Sequence, residues 1–426
     1  MTDALLGYTG FVGSHLRENL CPSQTEYFNS ENIKDIVGKE FRCVYSACAP
    51  AVKWRGNANP DQDAVEIDTL KNILVSLKCD TFFHISTIDI HSPEVLDQVE
   101  DEVVPATATY GKNRYFLEVF LRQHFGDKLV IVRLPALFGV GLKKNYLHDL
   151  MNKNNLENVN INFSFQWYSL SWLWEDIRVA QEDGRKTVNL YTESIETNDI
   201  VNTLFPDLAS SLTVGTRVFY SQSSKYGGRS AKEVLEAMTD YILLEAMKNK
   251  NVLNRMVVSN MAWKHNEHVA FLMDRYGINR LEILPTKLAP WDEVFQNNLK
   301  EQLNVFREYG ISVYSVQSVF HGVEGEFGDD NIEKHLQKVV KFCEAVGAEV
   351  VVMGSPTVRD RRALADLLER SGQDTNVMIC LEPNSKAYRC CAGTTLDECV
   401  DIRGGRKFFL NYDTGNAYME KDRLPE

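Results

Sequence analysis

The chain has 426 residues, 44% of them hydrophobic and 25% charged, and carries a formal net charge of −13. That length exceeds one ordinary core and predicts about two or three domains, in a globular rather than a disordered chain. The acidic balance, without a basic run, argues against nonspecific binding to nucleic acid or an anionic bilayer; no stretch reaches the ~18 continuous apolar residues of a membrane helix, and the start lacks a signal-peptide layout, so the cytoplasm is the default location.

Residues 4–6 read as the end of a short buried strand, followed at once by Gly7, Gly10 and Gly13, with residues 15–20 as the helix behind. Glycines at this spacing suit a tight turn whose backbone approaches a pyrophosphate, with helix N–H groups and a partial positive charge to meet it. Thr9, Phe11 and Val12 share that turn. A second strand ends at residues 26–29, and a third, over 41–50, ends in small residues. Lys53, Trp54, Asn57, Asn59 and Asp61 follow; an aromatic among amides suits a sugar, and equally suits a solvated loop with one packed Trp.

Residues 81–87 read as a buried strand ending in Ser86 and Thr87, and Tyr110 opens an amphipathic helix on which Arg114 shares its face. A hydroxyl, a phenol and a cation are what carbonyl/alcohol redox chemistry needs. The cation stabilises phenolate, and the phenol, Tyr110, trades a proton with the substrate oxygen.

These residues resemble the extended short-chain dehydrogenase/reductase family of NAD-dependent epimerases, dehydratases and reductases, over about residues 1–225. Gly7, Gly10 and Gly13 match its Gly-x-x-Gly-x-x-Gly, Thr87 its strand-end Ser/Thr, and Tyr110 to Arg114 its Tyr-x-x-x-Lys. The resemblance implies a Rossmann doubly wound parallel sheet with a small substrate cap, NAD or NADP as cofactor, and a sugar or nucleotide-sugar as small-molecule partner. The last motif position departs: arginine is planar and never neutral, so it does not simply replace the lysine. Where relatives place an acid against the NAD ribose, this chain has Asn29 and Ser30, with Glu31 and Lys34 nearby, so NAD and NADP both stay open. Residues 136–225 are expected to form the cap, with Asn145, Gln166, Trp167 and Tyr168 as residues to watch, a strand at 187–191, and a helix capped by Thr197.

A helix over 231–248 leads to a break near 249–251, so the expected domains are 1–228, a linker at 229–253, and 254–426. Beyond it, strands at 256–260, 280–284, 312–316, 349–354, 377–382 and 407–413 alternate with helices at 295–309, 331–346 and 360–371. Such units argue a parallel β/α architecture with its chemistry at the C-terminal strand ends, where Glu282, Glu382 and Asp413 fall. This half resembles the xylose-isomerase-like barrels of sugar-phosphate isomerases and epimerases. Glu382 and Asp413 match two metal-binding carboxylates of that family, while Asn416 stands where its histidine is usual. Six strands are readable where the family has eight, which implies an incomplete (β/α) barrel without the remaining His and Glu ligands. Its open edges call for a partner chain, a homo-oligomer being one solution, or for a collapsed rearrangement.

His265 and His268 read as surface positions at a helix start, and Gly354 to Pro356 with Arg359 as a phosphate-binding loop or an ordinary one. Nine scattered cysteines, Cys390-Cys391 included, read as reduced thiols. Together these features point to an NAD(P)-dependent enzyme of sugar metabolism fused to a partial barrel. The alternatives are a dinucleotide-binding sensor or scaffold without turnover, and a metal-dependent sugar-phosphate epimerase completed by another chain.

Overall fold

The computed structural model describes residues 1–219, 222–249, 253, 256–259, 265–284, 299–318, 329–354, 361–372, 375–382 and 409–410. The chain divides into two compact units, Met1–Met247 and Lys248–Glu426.

The first unit is built on six strands: β1 (Asp3–Leu6), β2 (Thr25–Phe28), β3 (Glu40–Ser46), β4 (Lys78–Thr87), β5 (Leu129–Leu134) and, after two strands of a smaller sheet, β8 (Thr187–Asn189). They pair in the order β2-β1-β3-β4-β5-β8, all parallel. β1 and β5 are buried along their whole length, as strands covered on both faces must be. Successive side chains leave on opposite sides. Leu6, Val44 and Phe82 pack with Leu70 of α3 (Pro60–Leu74) and Leu117 of α4 (Thr109–Phe125), whereas Leu5, Tyr45 and Phe83 pack with Leu16 of α1 (Phe11–Arg17). The result is the α/β, Rossmann-like doubly wound sheet. At β1 the strand order reverses, and such a reversal opens a crevice at the C-terminal strand ends.

A smaller sheet joins β6 (Ala136–Phe138), β7 (Phe163–Ser169), β9 (Ser194–Glu196) and β10 (Val218–Phe219) around a core of Phe138, Leu147, Trp167 and Ile195. The strand expected inside this cap at 187–191 instead belongs to the main sheet, because Val188 is buried in the core that β5 lines. The helix Ala231–Asn249 sends Val234, Met238 and Tyr241 into the small sheet's core, so its first half is structural rather than a bare linker.

In the second unit, β11 (Val257–Ser259), β12 (Arg280–Ile283), β13 (Ser312–Ser318), β14 (Val350–Gly354), β15 (Met378–Glu382) and β16 (Phe409–Leu410) pair in parallel and in chain order. Helices Asn266–Tyr276, Leu299–Glu308, Asp329–Val346 and Arg361–Ser371 alternate with them and share one core, including Leu281, Val316, Phe306, Leu336 and Leu368. Among the described residues the run is open: β11 pairs with β12 alone and β16 with β15 alone.

Candidate active site

The turn after β1 is held by its own backbone. Gly7 takes φ +79° and its amide donates to Phe28 at 2.7 Å, while the Gly10 amide donates to the Gly7 carbonyl at 2.9 Å. A Cβ on Gly7 would lie 2.5 Å from the Ala47 carbonyl oxygen, and one on Gly13 only 2.0 Å from that of Gly7. The first glycine thus permits the close approach of β3, and the third seats α1 against the turn. Gly10 has a different task. A Cβ there would meet only the Gly7 oxygen, at 3.2 Å, and both Thr9 and Gly10 are exposed, so the turn presents bare backbone outward. That is the cradle a pyrophosphate requires. At the end of β2, Asn29 Oδ1 accepts from the amides of Glu31 and Asn32, so this side chain shapes the loop that would border a ribose.

Beside the turn lies a cleft of ≈ 230 Å³ whose lining includes Val12, Ser86, Thr87, Asp89, Tyr110 and Arg114. The structure therefore brings the predicted hydroxyls, phenol and cation together. α2 (Lys53–Ala58) braces the start of α4: Asn57 Oδ1 accepts from the Tyr110 amide at 2.9 Å, and a Cβ on Gly56 would lie 3.2 Å from the Tyr110 ring. Thr87 Oγ1 accepts from the Asp89 amide at 3.1 Å.

Arg114 departs from the expected arrangement. It is 2% exposed, with its guanidinium carbon 3.9 Å from the Tyr110 ring centroid, against the ring face. Its nitrogens donate to Asp63 Oδ2 at 2.5 Å, to the Tyr110 carbonyl and to the Pro50 carbonyl. Asp63, itself buried, balances the charge. Burial pushes the Tyr110 phenol up to about 12, and the neighbouring Asp89 and Asp63 add to the rise against the pull of Arg114. Arg114 does pull this value down, as the sequence implied, but burial outweighs it, and the carboxylate that claims Arg114 lies 51 residues away.

Ser86 also has a partner that sequence reasoning missed. Its hydroxyl donates to Glu118 Oε1 at 2.6 Å, leaving only lone pairs for a ligand. Glu118 is fully buried and accepts two further bonds from Arg133, at 3.0 and 2.7 Å. Burial alone would raise its carboxyl, but the charge and hydrogen bonds of Arg133, with that of Ser86, hold it below the usual carboxylate range. The signal was present in the sequence: Glu118 lies four residues beyond Arg114, on the same helix face.

The cap residues singled out earlier serve the fold. Gln166 Nε2 donates to the carbonyls of Thr192 and Gln222, Trp167 is 2% exposed, and the Tyr168 hydroxyl donates to Asp176. Asn145 caps the helix Tyr146–Asn152 by accepting from His148. Thr197 is the first helical residue rather than a cap, because its hydroxyl donates to the Phe163 carbonyl. Trp54 is 70% exposed, not packed, and Asn57 is spent on α4.

In the second unit, Glu282 accepts from the Ser315 hydroxyl at 3.1 Å. Glu382 ends β15, and its side chain, like Asp413, Asn416, the 355–359 loop and Cys390-Cys391, lies outside the described residues. Among the described residues, no group of three or more His, Cys, Asp or Glu is placed to hold a metal ion. Six cysteines in the described part form no disulfide, and no described helix is long and apolar enough to cross a membrane.

No protein-family model matches the chain, and no curated protein matches it. Among solved structures, the chain is similar to a dTDP-4-dehydrorhamnose reductase from Clostridium acetobutylicum, at 18% identity and TM-score 0.48, covering 58% of this chain and 100% of the other. It is also similar to the UDP-glucuronic acid 4-epimerase from Bacillus cereus in complex with UDP-glucuronic acid and NAD, at 17% identity and TM-score 0.45, over 57% and 99%. A UDP-N-acetylglucosamine 4-epimerase from Methanobrevibacter ruminantium M1 matches at 12% identity and TM-score 0.47, over 57% and 97%.

Proposed function

We propose that the first unit binds NAD or NADP at the glycine turn and acts on a sugar or nucleotide-sugar in the adjoining cleft, as a reductase, epimerase or dehydratase. The observation that carries this reading is the side-chain-free cradle at Gly7, Gly10 and Gly13, set beside a cleft that gathers Thr87 and Tyr110. Thr9, Phe11 and Val12 would border the coenzyme, Asn29 its ribose, and Ser86 the inner wall. The coenzyme, when bound, supplies or accepts hydride at the substrate carbon. Tyr110, a neutral phenol at neutral pH, is suited to give its proton to a substrate oxygen that Thr87 holds by a hydrogen bond. Arg114, balanced by Asp63, holds the tyrosine ring from its face more than it supplies charge.

That same ion pair favours a second reading, a dinucleotide-binding sensor or scaffold without turnover. For the second unit we propose a partial sugar-phosphate isomerase-like barrel, a reading with which strands paired in parallel and in chain order are compatible. A metal-dependent epimerase reading of this unit needs further ligands beside Glu382 and Asp413, supplied by another chain.

The test is calorimetric titration with NAD(H) and NADP(H), then a nucleotide-sugar panel with Tyr110→Phe alongside. Binding of one coenzyme is expected, with kcat falling about 100-fold or more in the variant while coenzyme affinity holds. Binding without turnover of any sugar selects the sensor. Absence of heat with every coenzyme overturns both.

A further inference from the structure

The first unit's cleft holds a second cation. Lys53, Gly56 and Asn57 fall on one face of α2, at the helical spacing of three and four residues. All three turn toward the start of α4: Asn57 meets the Tyr110 amide, Gly56 meets its ring, and Lys53 lines the cleft with its Nζ 2.6 Å from Asp89 Oδ1. Asp89 is itself fixed in place. Its amide donates to Thr87, and its carbonyl lies so close to Gly111 that a Cβ there would come within 2.0 Å. The carboxylate that anchors Lys53 is thereby tied to Thr87 on one side and to the turn bearing Tyr110 on the other.

The two cations differ in what they can do. Arg114 is 2% exposed and its two terminal nitrogens are held by Asp63 and two carbonyls, whereas the Lys53 side chain is 49% exposed. A half-exposed ammonium on a flexible four-carbon stem can exchange a carboxylate partner for a ligand oxygen; a buried, planar guanidinium fork cannot.

We propose that Lys53, rather than Arg114, is the cation that meets the coenzyme beside Tyr110, exchanging Asp89 for one of its oxygens. This rests on the coenzyme reading above. The exchangeable cation that Arg114 does not offer is thus supplied from α2, and Asp89 holds it ready.

The test uses the full chain, lightly ¹³C-methylated at lysine so that the charge is kept, with the Lys53 resonance assigned by its absence from Lys53→Arg. Saturation with the coenzyme that the wild type binds is expected to move that resonance. Lys53→Met, checked for folding by its melting curve, is expected to bind the same coenzyme about tenfold more weakly, with Lys53→Arg recovering part of the loss. An unmoved resonance together with equal affinity in Lys53→Met overturns this proposal while leaving coenzyme binding intact. A wild type that binds no coenzyme overturns both.

Discussion

Both units rest on six parallel strands, yet the strands run in different orders. In the first, β1 has β2 on one side and β3 on the other, and the chain turns away from β1 over a glycine loop. In the second, each strand follows its predecessor in sequence. A reversal opens a crevice by topology alone, before any side chain is chosen. A chain-ordered sheet has no such crevice until it curls on itself and brings its strand-end side chains together. That is why the first sheet already gathers a hydroxyl, a phenol and two cations, whereas Glu282 in the second is bonded, among the described residues, to the serine of the next strand.

The largest expected effect strikes the reversal itself. Gly13→Val would drive a branched side chain into the Gly7 carbonyl, 2.0 Å from the Cβ position, and is expected to cost about 4 kcal/mol in urea denaturation and to abolish coenzyme heat. A variant that keeps both stability and binding breaks the claim that this crevice depends on the glycine turn.

A slightly smaller effect separates the sheets by pH. His84 on β4 is fully buried with neither ring nitrogen hydrogen-bonded, and burial pulls it down to about 4 against the pull of Glu118. Above pH ~6.5 the ring is neutral in both folded and unfolded chains; between ~6.5 and ~4 the unfolded chain takes up a proton that the folded one refuses, so stability falls as pH falls. The loss attributable to His84 is on the order of 3 kcal/mol, complete below about pH 4. It is measured as the difference in pH slope between the wild type and His84→Phe, and equal slopes would refute it. The smallest effect belongs to the second sheet: Ser315→Ala, removing the bond to Glu282, should lower stability by about 1 kcal/mol. A several-fold larger loss would show that this strand end carries more than one serine's worth of support.

Much of the architecture was legible because it is periodic. The six strands after residue 250 were placed from alternation of apolar runs and helices, and the glycine spacing located the crevice. What escaped was non-local. Asp63 claims Arg114 from 51 residues away, and nothing in the Tyr110 motif points to it. The 187–189 strand was assigned to the cap because its neighbours in sequence are there, whereas its pairing partner is β5. Gln166 and Tyr168 stood out as cap residues to watch, yet buried polar groups must find partners, and theirs lie on loops and a helix outside their own strand. Lys53 was read as part of a polar loop because its helix is only six residues long.

One buried carboxylate reaches further than its size implies. Glu118 ties α4 to β4 through Ser86 and to β5 through Arg133, and Arg133 continues to Asn189 on β8 and to the Glu100 carbonyl. Glu100 in turn accepts from the Ser224 hydroxyl and the Lys225 amide. Peeling β8 or the 222–225 segment away would strip hydrogen bonds from Glu100, which is itself buried. The inner strands and this outlying segment should therefore open as one cooperative block, and their amides should exchange hydrogen with solvent at a common, slow rate.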